Sequence, residues 1–218
     1  MMETKTSTVA KNSISEISNV GDVLPYLSEG ALLVLDIDDT IITSSTYEGS
    51  ISWIDYLTEK FVGEGFSQHD AFEKAVEIWQ ETQSTVSVQL IEEDIHALFE
   101  RANYVVGCTS RPVTMLSVTM EQLQTVGISF GHHDSFPIDT KTADCSAYFS
   151  NGIIFGDGGE KGELLFTFLH ASEIYEMSSR IIMIDDSLCH LEEVLASCRQ
   201  HNVDYYGFRY SRCDHRLP

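Results

Sequence analysis

Three apolar runs constrain what this chain can fold into. ALLVL (31–35), YVVGC (104–108) and IIMI (181–184) are each strand-sized, and they stop at the oxygen-bearing residues Asp36, Thr109 and Asp185. Apolar runs this continuous are buried on both faces, the situation of strands in a parallel sheet covered by helices. Between them, apolar residues recur at helical intervals: Ile51, Ile54, Leu57 and Phe61, then Phe72, Ala75, Ile78 and Trp79, then Ile91, Ile95, Leu98 and Phe99. The same period predicts helices through Met115, Leu116, Met120 and Leu123, through Leu164, Leu165, Phe168 and Leu169, and along LCHLEEVLASC, while VDYYGFRY reads as a last strand. NGIIF (151–155) reads as a hairpin or a short strand between turns. The alternation predicts an α/β fold, a three-layer Rossmann-like sandwich with a mostly parallel central sheet.

The helical stretch from Ser50 to Arg101 is longer than a crossover between two strands requires. We therefore expect a helical cap insertion over residues 44–90. Before it, residues 1–43 would hold an N-terminal helix, from the spacing of Ile14, Ile17, Val20 and Leu24, and the first core strand. Residues 91–218 would complete the core, with a small insertion near 128–160.

Composition removes several functional classes. The chain has 218 residues with 13 Lys plus Arg against 34 Asp plus Glu, a formal net charge of −21, which repels a nucleic-acid backbone. Its apolar runs are far short of the roughly 20 residues of a membrane span, so no membrane partner is expected. Residues 1–16 lack the apolar core of a secretory signal, and the five cysteines include no C-x-x-C pair. Both features suggest reduced thiols and a cytoplasmic location.

In sheets of this type, ligands bind beyond the carboxyl ends of the strands. The residues gathered there suit phosphoryl transfer. Asp36 is placed to attack phosphorus and become an aspartyl phosphate. Asp38 is placed to protonate the leaving oxygen and then to activate water. Thr109 and Lys161, the latter in the Gly-flanked loop GDGGEKGE, would hold the phosphoryl oxygens. Asp36, Asp38 and Asp185 form the expected metal set, with Asp186, Ser110 and Arg111 as outer-shell or substrate contacts. A hard divalent cation, Mg2+, fits oxygen ligands and offsets the repulsion among these carboxylates. The expected partner is a small phosphorylated substrate or a phosphoprotein.

The D-x-D-x-T run Asp36-Ile37-Asp38-Asp39-Thr40, followed in order by Thr109, Lys161 and the pair Asp185-Asp186, resembles the motif set of the haloacid dehalogenase superfamily on its phosphatase branch. The resemblance spans residues 31–187. It implies the same fold, the same cofactor and the same division of labour. The wider layout of GSISW, TSRP, NGIIF and GFRY resembles a bacterial phosphatase-like subfamily of undefined substrate. One departure is the late acidic pair, which is followed by Ser187 and His190 rather than by a further acid or amide a turn on.

Other readings stand beside this one. A slow, phosphatase-like binding protein and a phosphotransferase would both use the same residues. A response-regulator receiver is disfavoured because its Thr and Lys follow its acidic pair, whereas here both precede Asp185-Asp186. Arg111 is suited either to reach substrate phosphate or to anchor its loop to an acid. His132-His133-Asp134 reads as solvated loop, Cys108 as core, and Trp53 and Tyr56 as helix packing.

Overall fold

The structure is a computed structural model that describes residues 10–83, 85–131, 135–138, 147–172, 174 and 178–214. Strands β1 (Ser13–Ile17), β2 (Ala31–Leu35), β5 (Tyr104–Thr109), β6 (Phe136–Pro137), β7 (Tyr148–Ser150), β8 (Ile153–Phe155), β9 (Arg180–Asp185) and β10 (Asp204–Tyr210) form one sheet in the order β1-β10-β9-β2-β5-β8-β7-β6. From β1 across to β8 every pairing is parallel, and only the β8–β7–β6 edge is antiparallel. The β7–β8 connection is the expected hairpin. Asn151 and Gly152 both have positive φ, the geometry of a two-residue type I′ turn.

Alternation along the strands divides the core in two. Leu33, Leu35, Ile182 and Ile184 face one side, packing with Ile95 and Leu98 of α3 (Asp94–Arg101) and Leu123 of α4 (Leu116–Thr125). Leu32, Val34, Cys108, Ile181 and Met183 face the other, against α5 (Lys161–Ala171) and α6 (Leu188–His201). Helices on both faces of a largely parallel sheet make the three-layer α/β fold that the apolar runs predict. Cys108 is fully buried in this core, as expected, and burial pushes its thiol up to about 12.

A two-stranded antiparallel ribbon, β3 (Ile42–Ser44) with β4 (Val88–Leu90), stands apart from the main sheet. Between its strands run α1 (Ile51–Gly63) and α2 (Gln68–Thr82). Their apolar faces close on each other through Ile54, Leu57, Phe61, Ala71, Ala75 and Trp79, and Met115 joins this small cluster from the strand-to-α4 connection. Trp53 packs against the cluster, but Tyr56, stacked on Trp53 at 5.1 Å, is exposed rather than packed into it.

The N-terminal helix is corrected. Residues 13–17 form the edge strand β1, in register with residues 206–210 of β10, and only Val20–Tyr26 turn helical, as a 3-10 helix. The i, i+3 spacing of Ile14, Ile17 and Val20 imitates a helix. The backbone of SISEI gains more by pairing with the open edge of β10 than a helix of five residues could offer. His132-His133-Asp134 lie outside the described residues.

Helices α5 and α6 approach closely at Gly162, where an added Cβ would meet the Glu193 carbonyl oxygen at 2.5 Å and Ser197 Oγ at 2.6 Å. That approach sets the start of α5 against the carboxyl end of the sheet. Gly162→Ala should force the helices apart and cost about 1–3 kcal/mol, an overpacking penalty. At roughly 2–4 °C of melting temperature per kcal/mol for a chain of this size, thermal denaturation should register a clear loss. An unchanged melting temperature would show that α5 and α6 are not clamped there.

Candidate functional site

The four central strands in sheet order, β9, β2, β5 and β8, deliver the candidate residues to one edge. Asp185 ends β9, Asp36 directly follows β2, Thr109 ends β5, and Lys161 opens α5 after the short loop from β8. That loop is fastened to the neighbouring strand end. The N–H groups of Gly156, Asp157 and Gly158 donate to the carbonyls of Thr109, Arg111 and Ser110.

The D-x-D-x-T segment turns back on itself immediately after β2. Ile41 and Ile42 both donate to the carbonyl of Ile37, and Asp39 donates to that of Ile42. Asp39 has φ of 54°, a left-handed conformation that Asp tolerates better than most residues, and its carboxylate accepts a hydrogen bond from Thr43 Oγ1 at 2.7 Å. Thr40 is buried, and its hydroxyl oxygen accepts from the N–H of Asp186 at 3.1 Å. The threonine of the motif thus ties the β2 turn to the end of β9.

Lys161 is the centre of the site. Its Nζ lies 2.6 Å from Asp36 Oδ1 and 2.9 Å from Asp185 Oδ2. It is the first residue of a helix and fully buried, not a surface loop lysine, so it contributes packing as well as charge. A cation at a helix N-terminus is disfavoured by the helix dipole, and burial also opposes its charge, yet the two carboxylates outweigh both and raise its pKa. Its backbone N–H donates to Glu193 Oε2 at 2.9 Å.

The carboxylates do not share this cation equally. Burial would raise Asp185, but Lys161 and His190 outweigh burial and hold it below the ordinary carboxylate value. His190 Nδ1, on the first turn of α6, is 3.3 Å from Asp185 Oδ1, and the N–H of Ser187 donates to the same oxygen. Asp36 is pushed up to about 7 by burial, with Lys161 only partly offsetting the added repulsion of Asp185 and Asp38. Asp186 is pushed up to about 8 by burial and by Asp36 and Asp185. One ammonium is too little positive charge for this group of acids.

Carboxylate oxygens of Asp36, Asp185 and Asp186 lie within 4.8 Å of one another. Three convergent carboxylates with excess negative charge are a donor set suited to a hard divalent cation. This differs from the expected set: Asp186, expected in the outer shell, joins the cluster, and the carboxylate of Asp38, expected in it, does not. Arg111 Nε and Nη2 hold its two oxygens at 2.8 and 2.7 Å. Of the two roles open to Arg111, it takes that of anchor to an acid. Thr109 is buried, and its hydroxyl oxygen accepts from the N–H of Arg111 at 3.2 Å. Ser110 is half-buried and joins through its carbonyl.

Beside Asp38 opens a narrow cleft lined mainly by polar groups: Asp39, Thr43, Ser44, Ser50, Arg111 and Gln122. Ser50 and Ile51, at the start of α1, form part of its wall. Sequence reasoning did not assign roles to Thr40, His190 or Gln122. His190 sits one helical step from the acidic pair, a spacing visible in the sequence. Gln122 carries no signal, because a polar residue on an amphipathic helix reads as solvent-facing.

Two proteins similar to this chain come from Chlamydia. One, from Chlamydia pneumoniae, is 27% identical over 202 residues, covering 91% of this chain and 74% of its own length. The other, from Chlamydia muridarum, is 28% identical over 210 residues, covering 94% of this chain and 78% of its own. Both are named as candidate outer membrane proteins, a name at odds with the cytoplasmic location expected from composition. Among the described residues, no helix is long and apolar enough to cross a membrane. Among solved structures, a haloacid dehalogenase-like protein of unknown function from Agrobacterium tumefaciens is similar with a TM-score of 0.45 and 13% identity, covering 83% of this chain and 84% of that one. A haloacid dehalogenase-superfamily hydrolase from Geobacter sulfurreducens is similar with a TM-score of 0.41 and 11% identity, covering 88% and 99%. The model of one family matches residues 12–218, nearly the whole chain, and the protein therefore belongs to that family, described as Protein of unknown function (DUF2608).

Proposed function

We propose that this protein is a Mg2+-dependent phosphomonoester hydrolase that works through an aspartyl phosphate on Asp36, with Asp38 as general acid and base. The observation that carries this reading is the pairing of Lys161 with Asp36 and Asp185 at adjacent strand ends, with Asp186 converging on the same point. A nucleophilic carboxylate, a fixed cation and a donor set for a divalent ion meet where the fold places ligands.

An oxygen of Asp36 attacks phosphorus, forming the acyl phosphate as the bond to the leaving oxygen breaks, and Asp38 gives that oxygen its proton. Water then attacks the phosphoryl group while Asp38 takes the water's proton, releasing inorganic phosphate and restoring Asp36. Lys161 holds Asp36 in place and balances charge as it accumulates on the phosphoryl oxygens. Thr109 offers its hydroxyl to the same group. Mg2+, held by Asp36, Asp185 and Asp186, would supply the positive charge that allows a phosphate dianion to approach these acids. The helix pair α1–α2 serves as a cap, since the start of α1 walls the cleft beside Asp38. The substrate of this reading is a small phosphorylated molecule or a phosphoprotein.

Hydrolysis of an aryl phosphate should require Mg2+ and cease in chelator. Calcium should support it poorly, because its longer bonds and higher coordination number draw carboxylate oxygens away from in-line attack. Full activity in chelator would defeat the metal assignment.

The two aspartates should fail differently. Asp36→Asn cannot form the acyl phosphate. Asp38→Asn retains the nucleophile but lacks the proton acceptor for hydrolysis, so an activated aryl phosphate should leave phosphate on the Asp36 peptide. Mass spectrometry of acid-quenched protein distinguishes them, and phosphate found on a Ser or His peptide instead would overturn the mechanism.

The raised carboxyls also predict a stability profile in the absence of metal. Folded Asp36 and Asp186 titrate near 7 and 8 against an ordinary value of 3.8. Over that window the folded state binds more protons than the unfolded state, so stability should fall as pH rises from about 4 to about 8. Mg2+ binds the ionised carboxylates, so the rise in melting temperature on adding it should be larger at pH 8 than at pH 5. Scanning calorimetry with and without Mg2+ tests this, and a metal effect independent of pH would argue against these ligands.

A further inference from the structure

Arg111 carries more contacts than an anchor for one loop needs. Its side chain is almost fully buried, with 2% of its surface exposed. Nε and Nη2 grip Asp38, and Nη1 donates to Thr119 Oγ1 and to Gln122 Oε1, both at 2.8 Å, on α4. Its guanidinium lies over the Trp79 ring of α2, 5.1 Å from the centroid. The chain of contacts continues into the helix pair. Gln122 Nε2 donates to Gln83 Oε1 at the end of α2 at 2.8 Å, Gln80 Nε2 donates to the carbonyl of Thr114, and Trp79 Nε1 donates to the carbonyl of Gly49.

These bonds use most of the five donors of the guanidinium, leaving little to offer a substrate phosphate. A bidentate fork also fixes the orientation of its carboxylate, as a lysine ammonium would not. The far side of the same guanidinium touches α2 and α4. One edge of the guanidinium therefore holds Asp38 and another holds α4, while α2 is met by its contact with Trp79 and, through Gln122, at Gln83. The narrow cleft beside Asp38 is lined by Arg111 and Gln122 as well, so this network borders the space next to Asp38.

We propose that Arg111 is a positioning residue that sets the orientation of Asp38 and couples it to the seating of helix α2. The catalytic half of this rests on the phosphohydrolase reading, whereas the mechanical half, the coupling itself, does not. When α2 is seated, Trp79 and the Gln83–Gln122 contact hold the guanidinium, and the guanidinium holds Asp38. When α2 lifts, the fork loses its backing and Asp38 its orientation.

Arg111→Lys keeps the charge and removes the fork. It should lower kcat on an aryl phosphate by roughly 10²-fold, the scale of a displaced general acid, with KM changed far less. In an Asp38→Asn background the same substitution should cost almost nothing more, because residues acting through one another are not additive. Hydrogen exchange should show the amides of α2, residues 68–82, opening faster by about tenfold while those of α5 and α6 are unchanged, which also reports that the fold is intact. Should Arg111→Lys fail to fold, Gln122→Met, which leaves Arg111 and Asp38 in place, should act in the same direction with smaller effect. Equal losses in the wild-type and Asp38→Asn backgrounds would overturn the positioning role, and unchanged α2 exchange would overturn the coupling. A wild-type protein inert toward every phosphate ester would defeat the phosphohydrolase reading and the catalytic half together, and α2 exchange alone would then decide the coupling.

Discussion

The buried ammonium of Lys161 is the interaction on which the arrangement of this protein depends. Asp36 and Asp185 end adjacent parallel strands and are both withdrawn from water, so their mutual repulsion would strain the centre of the sheet without a cation between them. Placing the lysine at the first position of α5 requires that helix to start hard against the sheet. This in turn requires Gly162 next to it, since any larger residue would collide with α6. The charge balance of the site and the packing of two helices are therefore one problem with one solution. Even so, the lysine neutralises only part of the charge. The repulsion that remains raises Asp36 and Asp186, and it is this that the proposed divalent ion would relieve.

Much of this was legible in the amino-acid sequence because parallel sheets impose a strong rule. A strand buried on both faces must be apolar throughout, so the first polar residue marks its end, and the ends of neighbouring strands are neighbours in space. Asp36, Thr109 and Asp185 meet on that ground at the ends of three adjacent strands, whereas Lys161, expected in a Gly-flanked loop at a helix start, reaches Asp36 and Asp185 from the first residue of α5. The burial of Lys161 was less visible, because a lysine flanked by glycines looks solvated until the helix following it is placed. The edge strand β1 was misread for a related reason: a run of five residues with apolar groups three apart satisfies a helix pattern, and only the open edge of β10 decides otherwise. The partners of Arg111 were hidden altogether. Thr119 and Gln122 are polar residues on an amphipathic helix, and nothing local distinguishes a buried hydrogen-bonding face from a wet one.

The site and the helix pair differ in how they are held. The carboxyl edge of the sheet is held by several kinds of bond at once: the Asp36 N–H donates to Ile184, Thr109 pairs with Phe155, Asp185 pairs with Arg209, and Lys161 bridges Asp36 and Asp185. The α1–α2 pair has its own small core and meets the rest of the molecule through the β3–β4 ribbon, Met115 and the polar network around Arg111. A polar seam can open at less cost than an apolar core, because water can take up the freed hydrogen bonds. The polar seam on the side of Asp38 is therefore the easier of the two to open.

The place of β1 in the sheet has a consequence for folding. Among the described residues, Ser13–Ile17 pairs with β10 alone, through matches such as Ser13 with Tyr206 and Ile17 with Tyr210. β1 thus has no partner in this sheet until β10, which follows every other described strand in the sequence, is available. β10 itself lies between β1 and β9, so the sheet ends at β9 until β10 is in place. Closure of this edge joins segments far apart in the sequence, the kind of contact that slows folding. Until it happens, β9 presents an open apolar edge, and the chain is at its most vulnerable to pairing with another copy of itself.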